Sequence, residues 1–128
     1  MADPRVQARA TLTAIAGNLL RLLTSDTSVA LNRAAMTSPD LAALLLRHGR
    51  HTTGPLVETY LTRLTDEGRL RSGDPAEAFQ LLYGLVVRDV QIRSLLGEPA
   101  PPPDRLRAEA ELAVDRFLTL AGSTPTTG

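Results

Sequence analysis

Apolar residues recur at three- and four-residue intervals along most of the chain, the spacing of helices that each bury one face. Leu12, Ile15, Ala16, Leu19, Leu22 and Leu23 form the first stripe. It follows Asp3-Pro4, where the Asp side chain can cap and the Pro is tolerated at the first helical position. A helix is predicted over about 4–23. Thr24-Ser25-Asp26 breaks it, and Asp26 is placed to cap a second helix over about 27–37, through Val29, Ala30, Leu31, Ala34, Ala35 and Met36. Ser38-Pro39-Asp40 then starts a short helix through Leu41, Leu44 and Leu45 to His48, with Gly49 as a left-handed stop. Pro55 falls in the first turn of a helix over about 53–67 that turns Leu56, Val57, Tyr60, Leu61 and Leu64 inward and ends at Gly68.

Asp74-Pro75-Ala76-Glu77 is the strongest local signal. It joins an Asp cap, a Pro at the first helical position and a Glu three residues on, so it reads as a capping box. The helix it opens is predicted over about 75–96, stopping at Gly97. The loop Glu98-Pro99-Ala100-Pro101-Pro102-Pro103 cannot be helical. Asp104 is placed to cap a last helix over about 105–121, with Leu106, Ala110, Ala113, Val114, Phe117 and Leu120 on one face, and residues 123–128 read as a flexible tail. The fold class is all-α: a bundle of about six helices forming one domain over residues 1–122.

The helix predicted over 75–96 carries more apolar surface than one core needs. Phe79, Leu82, Tyr83, Val86 and Val90 fall on one face, and Ala78, Leu81, Leu85, Ile92 and Leu96 on a second, roughly 120° away. Either the helix is central in its own domain or one stripe meets another subunit. Gly84 lies mid-helix at a cost of about 1 kcal/mol relative to Ala, which a close helix–helix approach would offset. Small residues on the last helix, Ala110 and Ala113 among them, also permit close approach. If a second subunit covers these helices, the expected dimer interface is Leu81, Leu85, Ile92, Leu106, Ala110, Ala113 and Phe117; the alternative is a monomeric bundle whose fifth helix is simply central.

Composition adds exclusions. The chain has 128 residues, is 43% hydrophobic and only 3% aromatic, and has no Cys. Disulfides, thiolate metal sites and a Cys nucleophile are thereby excluded. Acidic and basic residues balance at 14 each, and every basic residue other than His is Arg. The absence of Lys reads as codon bias in a GC-rich bacterium. The arginines are scattered, and no stretch gathers the basic stripe that phosphate contacts need. No apolar run reaches the ~20 residues of a membrane helix, and the N-terminus does not read as a signal peptide, so a cytoplasmic protein is expected.

Candidate chemistry is sparse. His48 and His51 are three apart, but Gly49 intervenes and no third ligand is near, so no metal is assigned. Glu109 and Glu111 lie on one solvated helix and do not face each other, and no phosphate loop or paired nucleophile and base appears, so no enzyme or cofactor is expected. Met36, Tyr60, Leu64, Phe79 and Tyr83 are the candidate pocket lining, with plain core packing as the alternative. The two Tyr hydroxyls need partners when buried, which a ligand can supply. Arg33 among apolar neighbours either meets an anionic ligand or makes a structural ion pair. Asp89 and Arg93 are spaced to pair on their own helix, with Arg88 beside them.

The order of these segments resembles a known family. Val29 to Leu46 (VALNRAAMTSPDLAALLL) is followed by Tyr60-Leu61, Gly68-Arg69-Leu70-Arg71, Asp74-Pro75, Leu95-Leu96-Gly97 and a final Ala113-Val114…Phe117-Leu118 helix. Over about residues 4–122 this is similar to the C-terminal domain of TetR-type regulators of the AefR-like kind. The resemblance implies an all-helical domain that forms a homodimer through its last two helices and holds a small hydrophobic ligand among the others. Ligand binding there alters the spacing of two helix-turn-helix heads. The chain opens on the linker-like first helix, and no helix has a basic recognition composition, so no direct nucleic-acid contact is expected from it. An interior cavity of roughly 300–1,000 Å³ lined by helices 27–37, 53–67 and 75–96 is expected. The alternative is a helical module that pairs with a regulator and needs no pocket.

Overall fold

The computed structural model describes residues 3–71 and 73–122, with the side chains of residues 50–52 outside that description. The tail expected over 123–128 lies outside the described residues. The elements are α1 (Pro4–Thr24), α2 (Asp26–Ala35), α3 (Pro39–His48), α4 (Arg50–Asp66), α5 (Pro75–Val87), α6 (Val90–Leu95) and α7 (Pro103–Ala121). Among the described residues there is no strand, and one isolated antiparallel bridge pairs Leu70 with Gly122. The fold is an all-α bundle.

Short polar side chains start the helices. Asp3 accepts from Arg5 N at 3.0 Å, Ser38 from Leu41 N at 3.3 Å and Asp74 from Ala76 N at 3.0 Å, each ahead of a Pro at the first helical position. At α2 the cap is Ser25, which accepts from Ser28 N at 3.2 Å; Asp26 sits in the first turn, where its charge favours the positive helix end. Asp74 caps without a return bond from Glu77 among the described residues, so the expected box is a simple cap. At α7, Pro103 takes the first helical position and displaces Asp104 from capping into the first turn. Gly49 is not left-handed (φ −104°); a Cβ there would lie 2.8 Å from Leu45 O, so its small size is what lets α3 run directly into α4. That early start leaves Pro55 inside α4.

The core comes from α1, α4, α5 and α7. Leu12, Leu20, Leu61, Val86, Val114 and Phe117 are its fully enclosed side chains. Arg9 meets Asp115 while Gly17 stands opposite Ala110, so α1 and α7 run antiparallel. Ala8, Ala16, Gly17, Ala110 and Ala113 are all buried, and they bring these two helices close. The small residues of α7 thus serve α1 of the same chain. Leu22 and Leu56, expected inward, are 61% and 69% exposed. α2 and α3 bury no residue fully and lie outside the four-helix core. Leu70 is enclosed, and Arg71 N donates to Ala121 O at 2.9 Å, which stitches the α4–α5 connector to the end of α7.

The helix expected over 75–96 is broken. Arg88 takes φ 44°, ψ −120°, a region that favours glycine, and the chain restarts at Val90. No Gly or Pro marks this break. Its side chain is paired with Glu109 of α7. The turn sends α6 onto α1 and α2. On α6 the expected Asp89–Arg93 pair is present at 3.7 Å, and Arg93 also reaches Glu98 at 3.1 Å.

Two outcomes follow from this packing. Arg88→Gly relieves the unfavourable φ while losing the exposed ion pair, whereas Arg88→Ala loses the pair and keeps the strain. The Gly variant is expected to be more stable than the Ala variant by about 1 kcal/mol in urea unfolding. Arg9 donates to Asp115 through Nε at 2.7 Å and Nη2 at 3.0 Å, and this hydrogen bonding holds the Asp115 carboxyl below the usual carboxylate value. A depressed folded-state value stabilises above the unfolded value and is lost as pH falls through the folded one. The pair is exposed, so its worth is below about 1 kcal/mol. The stability gap between the wild type and Asp115→Asn is expected to be constant near neutral pH and to close below about pH 4.

Candidate functional site

Of the residues expected to line a pocket, Tyr60, Leu64, Phe79 and Tyr83 lie in or against the core, while Arg33 and Met36 belong to α2 and its end, outside it. Arg33 on α2 donates from Nε to Leu95 O at 2.9 Å and from Nη2 to Ser94 O at 3.3 Å. It therefore caps the carboxyl end of α6, where a cation meets the negative helix end, and neither expected role for it is needed. Met36 is 64% exposed at the end of α2, and Leu64 is buried in the core. Tyr60, Phe79 and Tyr83 are half-buried against that core. The Phe79 and Tyr83 rings lie 5.9 Å apart at 44°, and the Arg63 guanidinium sits 5.5 Å from the centre of the Tyr60 ring.

The larger depression, about 540 Å³, opens at the surface between α3, α4 and α5. Leu46 of α3, Gly54, Pro55 and Glu58 of α4, and Ala76, Phe79 and Gln80 of α5 line it. Of the expected pocket residues only Phe79 does so. Its ring rests on the α4 backbone, since a Cβ at Gly54 would lie 3.6 Å from Cε1. α3 takes the place expected for helix 27–37, because α2 packs on α1, α3 and α6. The depression found where α4 and α5 meet is thus an open groove and not the enclosed cavity expected there. Glu58 and Gln80 lining it carried no sequence signal beyond being polar residues on amphipathic helices.

The second depression, about 340 Å³, lies on the outer side of α5 and α7 between Leu85, Asp115, Arg116, Thr119 and Leu120. The expected dimer residues divide here. Leu106, Ala110, Ala113 and Phe117 are at most 5% exposed within the single chain, so they have no surface to offer a partner. Leu81 and Leu85 do face outward beside α7. Ile92, 49% exposed, is carried away from them by the turn at Arg88. Leu112 was not singled out, and Leu120 was expected on the apolar face with Leu106 and Phe117. They are 43% and 54% exposed and recur at eight residues with Arg116 between them, an interruption that reads as a solvated face. At Gly84 an added Cβ would meet nothing within 4 Å, so no contact in the chain requires that glycine.

Among the described residues no group of three or more His, Cys, Asp or Glu side chains gathers to hold a metal. His48 is exposed, and the His51 side chain lies outside the description. Glu109, one of the two carboxylates considered for catalysis, is paired with Arg88. No described helix is long and apolar enough to cross a membrane.

Against solved structures, the chain is similar to a TetR transcriptional regulator from Agrobacterium tumefaciens at 38% identity and a TM-score of 0.83, covering 94% of this chain and 63% of that one. A putative TetR-family regulator from Mesorhizobium loti matches at 21% identity and 0.78, over 89% of this chain and 59% of the other. A TetR-family regulator from Pseudomonas syringae matches at 21% and 0.71, over 98% and 65%. The chain therefore spans less than two thirds of the length of each. No curated protein matches it. Residues 10–120 match the family described as AefR-like transcriptional repressor, C-terminal domain. With that match spanning nearly every helix of the bundle, the chain belongs to the AefR-like C-terminal domain family of TetR-type regulators.

Proposed function

We propose that this chain is the dimerising, effector-sensing domain of a TetR-type regulator. In this reading two copies join through the outer faces of α5 and α7, and a small amphipathic molecule enters the groove between α3, α4 and α5. The observation that carries it is the apolar surface left partly bare on the outer sides of α5 and α7: Leu85 and Leu120 line one depression between them, and Leu81 and Leu112 are exposed on the same two helices. Contiguous exposed apolar surface marks an interaction site, and two helices doubled by a two-fold axis make a four-helix interface. Gly84, open to solvent beside Leu81 and Leu85, then has a reason: it lets the partner's backbone approach. The pocket residues shift accordingly, from the set led by Arg33 and Met36 to the groove around Phe79.

A helical module that pairs with a regulator and needs no pocket is the second reading, and the openness of both depressions described favours it. The two readings share the interface and part on whether the groove binds anything.

Sedimentation equilibrium of the wild type is expected to give the mass of two chains. Leu120→Arg is expected to halve it with helical content retained. Leu56→Arg, at an exposed site on α4, should leave it unchanged. A wild type with the mass of one chain sinks the interface. Gly84→Ala is expected to stabilise the isolated helix by about 1 kcal/mol while weakening association, because the added methyl group meets the partner.

A further inference from the structure

The chain breaks at Arg88, where its sequence favours one continuous helix. No Gly or Pro lies between Val86 and Leu96. The Arg88 backbone takes φ 44°, a region that an L side chain disfavours. α6 then begins without a side-chain cap, so the N–H groups of its first turn forgo the carbonyls that an unbroken helix would set one turn back. The break also divides an apolar stripe. Leu81, Leu85, Ile92 and Leu96 fall within roughly 60° of arc on a continuous helix. In the bent form Ile92 and Leu96 are 49% and 80% exposed, apart from the first two.

Three contacts oppose these local preferences. The Arg88 guanidinium is paired with Glu109 of α7. Arg33 of α2 donates from Nε and Nη2 to the carbonyls of Leu95 and Ser94. Val90 packs against the core and Ser94 is buried. The second and third exist only while α6 lies on α1 and α2, and the first anchors the residue at which the chain turns. A local preference for one form set against tertiary clamps on the other is the balance that a two-state element needs.

We propose that residues 75–96 form a conformational switch, bent at Arg88 while α6 is clamped on α1 and α2, and one continuous helix when the clamps release. Straightening restores a helical φ at Arg88 and the hydrogen bonds across the break, and it brings Ile92 and Leu96 into line with Leu81 and Leu85. It also frees Arg33 and so loosens α2. The two ends of the element are thereby coupled: what draws α2 away from α6 favours the straight form, and what covers the outer face from Leu81 to Leu96 does the same. The switch is separate from the groove and the interface proposed above, and either can fail without it.

Relaxation dispersion of the backbone amides, read with the Cα chemical shift of Arg88, reports both states in the 128-residue chain. The wild type is expected to show a bent major state and exchange across residues 86–96 with a helical minor state at roughly 0.1–10%. Arg33→Ala removes two donors from the end of α6 and is expected to raise the helical population about tenfold. Glu109→Gln, which weakens the anchor on α7 without touching α6, is expected to raise it in the same direction. Arg88→Gly is at ease in the bend and a poor helix former, so it is expected to abolish the exchange. Flat dispersion over 86–96 in the wild type, Arg33→Ala and Glu109→Gln alike overturns the switch and leaves a fixed kink. A helical Arg88 shift in the major state of the wild type overturns it too, as does exchange that Arg88→Gly leaves unchanged.

Discussion

α1 and α7 lie antiparallel with Gly17 opposite Ala110, and with buried alanines along both, so no large side chain holds their axes apart at that point. The rest of the bundle is arranged around this close contact. It places Leu12 and Leu20 of one helix and Val114 and Phe117 of the other in the same interior, where α4 and α5 complete the enclosure. Close-packed interiors tolerate added volume poorly, so the contact fixes which face of α7 is spent inside the chain. What remains outside is the side carrying Leu112, Arg116 and Leu120.

That division explains what could be read from sequence and what could not. Helix starts were legible because Asp-Pro, Ser-Pro and a capping Asp act locally, through a side-chain oxygen and a fixed φ. The core stripes of α1, α4 and α7 were legible for the same reason, since periodicity reports burial. Periodicity does not report what does the burying. The alanines of α7 suit a partner helix and α1 equally well, and only the fold assigns them to α1. The break at Arg88 was illegible because its cause is tertiary: Arg88 holds a conformation that its own residue type disfavours while its side chain is anchored on α7 and the next segment packs on α1 and α2.

The candidate groove was harder still. Its walls come from three helices, and of its polar groups Glu58 lies on what reads as the solvated side of α4. Whether such a residue lines a groove is a property of neighbours in space. Arg33 makes the converse point. From its apolar surroundings it looks like a ligand contact, yet a short helix ending nearby offers it two carbonyl oxygens. A helix terminus leaves carbonyls without partners, and a long basic side chain from an adjacent element satisfies them.

The stitch between the α4–α5 connector and the end of α7 has a consequence for cooperativity. Leu70 is enclosed, and Arg71 N is bonded to Ala121 O, so the last turn of α7 cannot fray without also loosening the turn that joins α4 to α5. Helix ends usually exchange their amide protons first, through local opening. Here the closing turn is bound into the interior of the sequence, so its amides would exchange only through the larger opening that also releases the connector.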